Sequence, residues 1–199
     1  MIQIRDKKKC CGCTACVEIC PKQCIKMKPD MEGFLYPTVD QDKCIDCGTC
    51  DGVCPTLNGK LEIETVQKAY LVQHRNDDVR MDSSAGGAFT AIASYVLERG
   101  GVVFGAAYNK NFQVRHTYIE KVEELRKFRN SKYVQSDMGN CFRQARDFLK
   151  ADRWVCFSGT PCQIEGLANF LKKPYEQLIL VDVVCHGIPS PLIWNKYLE

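Results

Sequence analysis

Two stretches of this chain repeat one cysteine spacing, and no other feature limits its fold so tightly. Residues 10–21 read CCGCTACVEICP, and residues 44–55 read CIDCGTCDGVCP. Each fits C-x2-C-x2-C-x3-C-P, with Cys10, Cys13, Cys16 and Cys20 before Pro21, then Cys44, Cys47, Cys50 and Cys54 before Pro55. Ten of the fourteen cysteines fall within the first 54 residues, and only Cys141, Cys156, Cys162 and Cys185 lie beyond. In a small secreted chain such wealth would be a disulfide framework; without a secretory leader it points to metal or redox chemistry. The opening MIQIRDKKKC has no apolar leader core, and no later stretch approaches a membrane span, so the chain is read as cytoplasmic with no membrane partner. Zinc needs four ligands per site and gives no reason for a third cysteine at x2 and a fourth before proline, twice.

A duplicated run of this kind resembles the bacterial two-cluster ferredoxins. Three thiolates two residues apart on a tightly wound loop can face three irons of one cubane, while the fourth points to the other cluster. The resemblance implies two 4Fe-4S clusters, one on Cys10, Cys13, Cys16 and Cys54, the other on Cys44, Cys47, Cys50 and Cys20. Pro21 and Pro55 are expected to end short helices, and Gly12 and Gly48 to let the loop backbone pass close to the inorganic core. Cys11 and Cys24 lie outside the pattern and read as small buried residues. Residues 1–58 balance eight Lys or Arg against eight Asp or Glu. That lacks the acidic excess of a free ferredoxin and suits a module passing electrons within its own polypeptide. The lysine run at 7–9 reads as a solvated face.

Past LNGK at 57–60, a linker by composition, the pattern changes. The expected organisation is a dicluster domain at 1–58 and an α/β domain at 62–199. Strands are expected at 66–74, 101–108, 112–120, 153–157 and, as a buried run, 178–184. Helices are expected at 87–99, 121–128, 140–150, 160–173 and 190–198. Strand–helix–strand spacing over 153–184 implies parallel pairing with a right-handed crossover. The fold class is therefore α+β: a small two-cluster ferredoxin-type domain followed by an α/β domain with parallel strand–helix–strand units.

Ligands bind such sheets where strands lead into helices. Three turns of that kind stand out. In SGTPCQ at 158–163, Thr160, Pro161 and Gln163 form a proline-opened capping box, which accounts for Thr160 and Pro161 by stability alone. Cys162 in the first helical turn is expected to favour its thiolate. If the two strands are neighbours, CHGIPS at 185–190 brings Cys185 and His186 towards Cys162. His74 and His116, in strands, read as structural. DSSAGGAFT at 82–90 opens a helix with exposed amides suited to a phosphate, although it is neither a P-loop nor G-x-G-x-x-G.

Taken in order, the dicluster run, SSAGGAFT, GVVFGAAY, KYVQSDM, SGTPCQIEGL and VDVVCHGIPSP resemble the coenzyme F-420 hydrogenase/dehydrogenase beta-subunit family over nearly the whole chain. The resemblance implies an FAD-containing iron–sulfur oxidoreductase. It would move electrons between clusters, flavin and a small-molecule acceptor or donor, which is a deazaflavin coenzyme in the best-known members, and work with a redox partner protein or subunit. By the same resemblance Ser83, Ser84, Gly86, Gly87 and Thr90 would hold the flavin phosphates. Ser158, Gly159, Thr160 and Pro161 would line the flavin site. Cys162 and Cys185 would supply a further cluster ligand or a redox thiol, with His186 as the third candidate catalytic residue. The chain stops at NKYLE inside a helix, which reads as a truncation relative to the family. The alternative is a non-catalytic electron-transfer adaptor docking on a partner oxidoreductase. A nucleic-acid-binding zinc ribbon has no basic stripe with interleaved aromatics to support it.

Overall fold

The computed structural model describes residues 1–4, 6–58 and 66–199. The cysteine-rich part is built as two matching loops around a hairpin. The first loop runs into α1 (Ala15–Ile19), followed by β1 (Ile25–Pro29) and β2 (Leu35–Val39), which pair antiparallel from Ile25↔Val39 to Pro29↔Leu35. The Asp30 carboxylate accepts from the N–H groups of Glu32 and Phe34 and fixes the turn between them. The second loop runs into α2 (Thr49–Gly52) and α3 (Pro55–Asn58).

The loops repeat their backbone as well as their cysteines. Two residues after the first cysteine, Gly12 and Asp46 are both left-handed, at φ 66° and 48°. Two residues later Thr14 and Gly48 are left-handed again, at 64° and 69°. Each turn is thus filled once by glycine and once by a residue that tolerates the strain because the repeat demands it. Pro21 follows the end of α1 as expected. Pro55 does more than stop a helix, since it is the first residue of α3, where its missing N–H costs nothing.

The second part carries α4 (Asp77–Met81), α5 (Ala88–Leu97), β3 (Val102–Tyr108), β4 (Val114–Ile119), a 3-10 helix (Val122–Phe128), α6 (Cys141–Lys150), β5 (Val155–Gly159), α7 (Pro161–Leu171), β6 (Leu178–Asp182) and α8 (Pro191–Leu198). The sheet order is β4-β3-β5-β6, with β4 antiparallel and the rest parallel. Alternation along the strands sorts the core into two layers. Val102, Phe104, Val155 and Phe157 face α6 and α7, whereas Val103, Ala107 and Cys156 face α5 and the 3-10 helix. The cysteine-rich part joins the first layer, since Cys13, Ala15 and Val53 are members of that core.

Two expectations fail, and a third is met in another form. Residues 66–74 form no strand: the segment has no ladder partner and is held at His74, whose N–H donates to the Gly86 carbonyl at 2.6 Å, while Leu71 is 99% exposed. The 178–184 run is an edge strand, not a buried one, and Val184 is 88% exposed. Residues 122–128 wind as a 3-10 helix. Of the expected linker, Leu57 and Asn58 end α3, whereas Gly59, Lys60 and the expected domain start at 62 lie outside the described residues.

Candidate functional site

Two recesses in the cysteine-rich part are lined by thiols. One, of about 310 Å³, is bordered by Cys10, Cys13, Cys16 and Cys54 together with Cys11 and Thr14. The other, of about 340 Å³, is bordered by Cys20, Cys44, Cys47 and Cys50 together with Cys24. Each fourth cysteine lies with the opposite run. Among the described residues no three metal-binding side chains converge on a point suited to one ion. A cubane makes a different demand, because its four thiolates stand at separate iron corners around a void.

The walls suit such a group. Thr14 lines the first recess, and its Oγ1 is buried with no hydrogen-bond partner. The Ile2 N–H donates to Cys50 Sγ at 3.1 Å. Burial pushes the Cys16 thiol up to about 12 and the Cys10 and Cys50 thiols up as well, so without a cation they resist ionisation. At Cys20 burial works the same way. The N–H groups of Cys24, Lys22 and Gln23 and the Cys24 thiol outweigh it and leave Cys20 below the ordinary thiol value. Of the two cysteines outside the pattern, Cys24 is buried, with its sulfur 3.4 Å from Cys20 Sγ. Cys11 is exposed, contrary to expectation.

The turn from β5 into α7 rests on a buried polar chain. The Thr160 N–H donates to Gln163 Oε1 at 2.9 Å, Gln163 Nε2 donates to Ser136 Oγ at 3.0 Å, and Ser136 Oγ–H donates to His116 Nδ1 at 2.9 Å. His116 Nε2 then donates to the Ser158 carbonyl at 3.0 Å, and its ring stacks on Phe157. A carbonyl can only accept, so the proton of the neutral ring sits on Nε2. Gly159 leaves no space for a side chain, since a Cβ there would stand 2.9 Å from Gln163 Oε1. Cys162 departs from expectation: the neighbouring Cys11 thiol, then burial, hold its own thiol protonated far above the ordinary value and outweigh the helix end. Its nearest polar partner on its own side is Thr160 Oγ1 at 3.2 Å.

Burial holds His116 well below the ordinary imidazole value of 6.5, to about 4, against the Ser158 carbonyl and Asp137, which raise it. The unfolded chain therefore binds a proton that the folded chain refuses between 6.5 and about 4. Stability is expected to fall as pH drops through that window, by about 3 kcal/mol at its acid end. In His116→Gln, which cannot titrate, unfolding midpoints followed against pH should show a flatter acid side.

The second turn is arranged differently from the sequence expectation. Gly87 caps α5 at φ 79°, and Gly86 packs against the Val72 carbonyl. Ser83 Oγ donates to the Val79 carbonyl at 2.6 Å, and Ser84 Oγ donates to Asn130 Oδ1 at 2.8 Å, so neither hydroxyl proton is free for an anion. Thr90 is buried and accepts from Arg129 Nε at 3.3 Å. Arg129 also pairs with Asp82 at 2.6 Å, which holds the Asp82 carboxyl below the usual range. Lys132 donates to the carbonyls of Lys127, Arg129 and Asn130, and burial lowers its ammonium to about 8. Arg129 and Lys132 have no sequence signature, and only the fold brings them beside the α5 turn. Residues 129–136 connect both turns, through Asn130 to one and Ser136 to the other.

The β5–β6 register ends at Gly159↔Asp182, so Cys162 and Cys185 each lie three residues beyond it. Cys185 and His186 are exposed, and neither makes a hydrogen bond to Cys162.

A family profile described as a 4Fe-4S dicluster domain matches residues 9–58. Profiles described as the N-terminal and C-terminal parts of coenzyme F420 hydrogenase/dehydrogenase, beta subunit, match residues 69–142 and 152–199. The chain belongs to the coenzyme F420 hydrogenase/dehydrogenase beta-subunit family. This member of the family carries an iron–sulfur domain ahead of the two parts. It is similar in fold to a chain of the xenon-derivatised F420-reducing [NiFe] hydrogenase complex from Methanosarcina barkeri, with a TM-score of 0.52 and 17% identity over 68% of this chain. The match spans about half, 52%, of that hydrogenase chain. No curated protein matches the chain. Among the described residues no helix is long and apolar enough to cross a membrane.

Proposed function

We propose that this chain is an iron–sulfur flavoprotein oxidoreductase of the cytoplasm, organised as a dicluster domain at 1–58 and a flavin-binding domain at 62–199. The observation that carries the reading is the pair of thiol-lined recesses, each closed by the fourth cysteine of the other run. Cys10, Cys13, Cys16 and Cys54 would hold one 4Fe-4S cluster, and Cys44, Cys47, Cys50 and Cys20 the other. When bound, the clusters supply one-electron conduction, and FAD supplies the exchange between single electrons and pairs. The chain's own residues bind and orient. The α5 N–H groups at 87–90 and Arg129 would offer the FAD phosphates positive charge, and Ser83, Ser84 and Lys132 act by shaping the turn. Ser158, Gly159, Thr160 and Pro161 would line the flavin, held in place by His116, Ser136 and Gln163. Cys162 and Cys185 remain the candidates for a further cluster ligand or redox thiol. The electron acceptor or donor would be an organic molecule, with a deazaflavin first among those to test, and a partner subunit would complete the route. The exposed state of Cys185 and His186 favours the second reading, an adaptor without chemistry of its own.

Iron, acid-labile sulfide and FAD content of chain reconstituted without oxygen decides between them. About eight irons and eight sulfides with stoichiometric FAD supports the flavoprotein. Eight irons without flavin leaves the adaptor, and zinc without visible absorption removes both. On the same preparation, Arg129→Ala is expected to weaken FAD binding about tenfold, the loss of one charge-assisted hydrogen bond, without changing iron content.

A further inference from the structure

The two thiol sets do not stand alike towards the α/β domain. Cys13 is part of the core that also holds Phe142, Ile164 and Leu167. Gly166, in the second turn of α7, is the residue that admits it: a Cβ there would lie 3.3 Å from Cys13 Sγ and 3.4 Å from Ala15 Cβ. One turn earlier, the Cys162 thiol neighbours the Cys11 thiol, which helps to keep it protonated. The first loop is thus in van der Waals contact with the helix that leaves the Ser158–Pro161 turn. The other set meets the α/β domain through backbone, since the Cys20 carbonyl accepts from Arg143 Nη2 at 3.3 Å. Its recess is lined by residues 1–50 alone, and at its rim Met1 and Ile45 are 41% and 59% exposed. The joint is also fixed, because Asn169 Nδ2 donates to the Val53 carbonyl at 3.5 Å and Glu18 bridges to α6.

We propose that Cys10, Cys13, Cys16 and Cys54 form the inner electron-carrying set, which exchanges electrons with the α/β domain across the contact of Cys11 and Cys13 with Cys162 and Gly166, and that Cys20, Cys44, Cys47 and Cys50 form the outer set. The assignment deepens the iron–sulfur reading above and rests on it. Each step moves one electron with no bond made or broken: between the sets one is oxidised as the other is reduced, and at the crossing the partner of the inner set would be the FAD proposed for the α/β domain. Tunnelling weakens steeply with distance, so atoms in contact define the crossing. Local charge gives the path a direction. The positive end of α7 faces the inner loop, and Lys7, Lys8 and Lys9, all exposed, immediately precede Cys10. Both stabilise an added electron, so the inner set should have the higher reduction potential.

The test is an EPR-monitored redox titration of the full chain loaded with both clusters. Cys54→Ala removes one signal and Cys50→Ala the other, which labels them. The signal lost in Cys54→Ala should titrate at the higher potential. It alone should move in Gly166→Leu and in the milder Cys162→Ala, the second variant serving if the first does not fold. A move confined to the Cys50 signal, or equal in both, overturns the proposal. With FAD bound, single-turnover flavin reduction should be at least about tenfold slower in Cys54→Ala than in Cys50→Ala. Equal rates overturn the proposed order. If the chain binds no FAD, the flavoprotein reading fails, and the titration still tests the order of the sets on its own.

Discussion

Cys16→Ala/Cys20→Ala is expected to lose both clusters, whereas Cys16→Ala/Cys54→Ala is expected to lose only one and keep about four of eight irons. The contrast follows from the crossed sets. Cys16 and Cys20 lie four residues apart on one short helix and its cap, so chain proximity alone would group them. Folding separates them: Cys16 borders the recess that holds Cys54, and Cys20 borders the recess that holds Cys44, Cys47 and Cys50. The series has to be made in a Cys24→Ala background, because Cys24, 3.4 Å from Cys20, is placed to replace it. The readout is iron and sulfide per chain after reconstitution. If Cys16→Ala/Cys20→Ala keeps half its iron and Cys16→Ala/Cys54→Ala keeps none, each run holds its own cluster and the crossed assignment is wrong.

The cysteine repeat was legible because the ligand spacing is a local property, fixed by a loop of a dozen residues. The same holds for the helix starting at Pro161, whose proline and Gln163 are read within one turn, and for the parallel neighbours β5 and β6. What failed was pairing. Residues 66–74 have a strand's composition, but a strand needs a partner, and the segment pairs with neither edge of the sheet, β4 or β6. The run at 178–184 looks buried because it is nearly all apolar, yet position in a sheet is set by topology and β6 is last in the order. The hairpin of β1 and β2 gave little signal, since prolines at 29 and 37 interrupt both strands. The site shows the same divide. His116 read as an ordinary strand histidine, and its role in the Ser158 turn depends on Ser136 and Gln163, 20 and 47 residues away. Gly166 inside a helix carries no motif, and its reason is Cys13 on another element.

Glu18→Ala is expected to destabilise the chain by about 3 kcal/mol, more than any exposed charge it contains. The side chain is 4% exposed and lies at the joint of the two parts. Its carboxylate accepts from the N–H of Phe142 at 3.3 Å and of Arg143 at 3.0 Å, the second and third residues of α6. Asn140, the residue preceding that helix, makes no side-chain cap of its own, so the cap comes from the other part of the chain. Arg143 returns the contact, donating through Nε to the Glu18 carbonyl at 2.7 Å and through Nη2 to the Cys20 carbonyl at 3.3 Å. Burial pushes the Glu18 carboxyl up to about 7, against the two N–H groups and Arg143, which pull it down. Alanine removes both acceptors at once and leaves two helix N–H groups without partners, while the guanidinium keeps the Glu18 and Cys20 carbonyls. Glu18→Gln keeps one acceptor and the shape, and should lose about half as much. Urea midpoints of the anaerobically reconstituted chain measure both. Because Arg143 also holds the Cys20 carbonyl, Glu18→Ala should speed iron loss to a chelator as well. A midpoint unchanged in Glu18→Ala would show that the apolar contacts of Cys13, Ala15 and Val53 hold the joint without the cap.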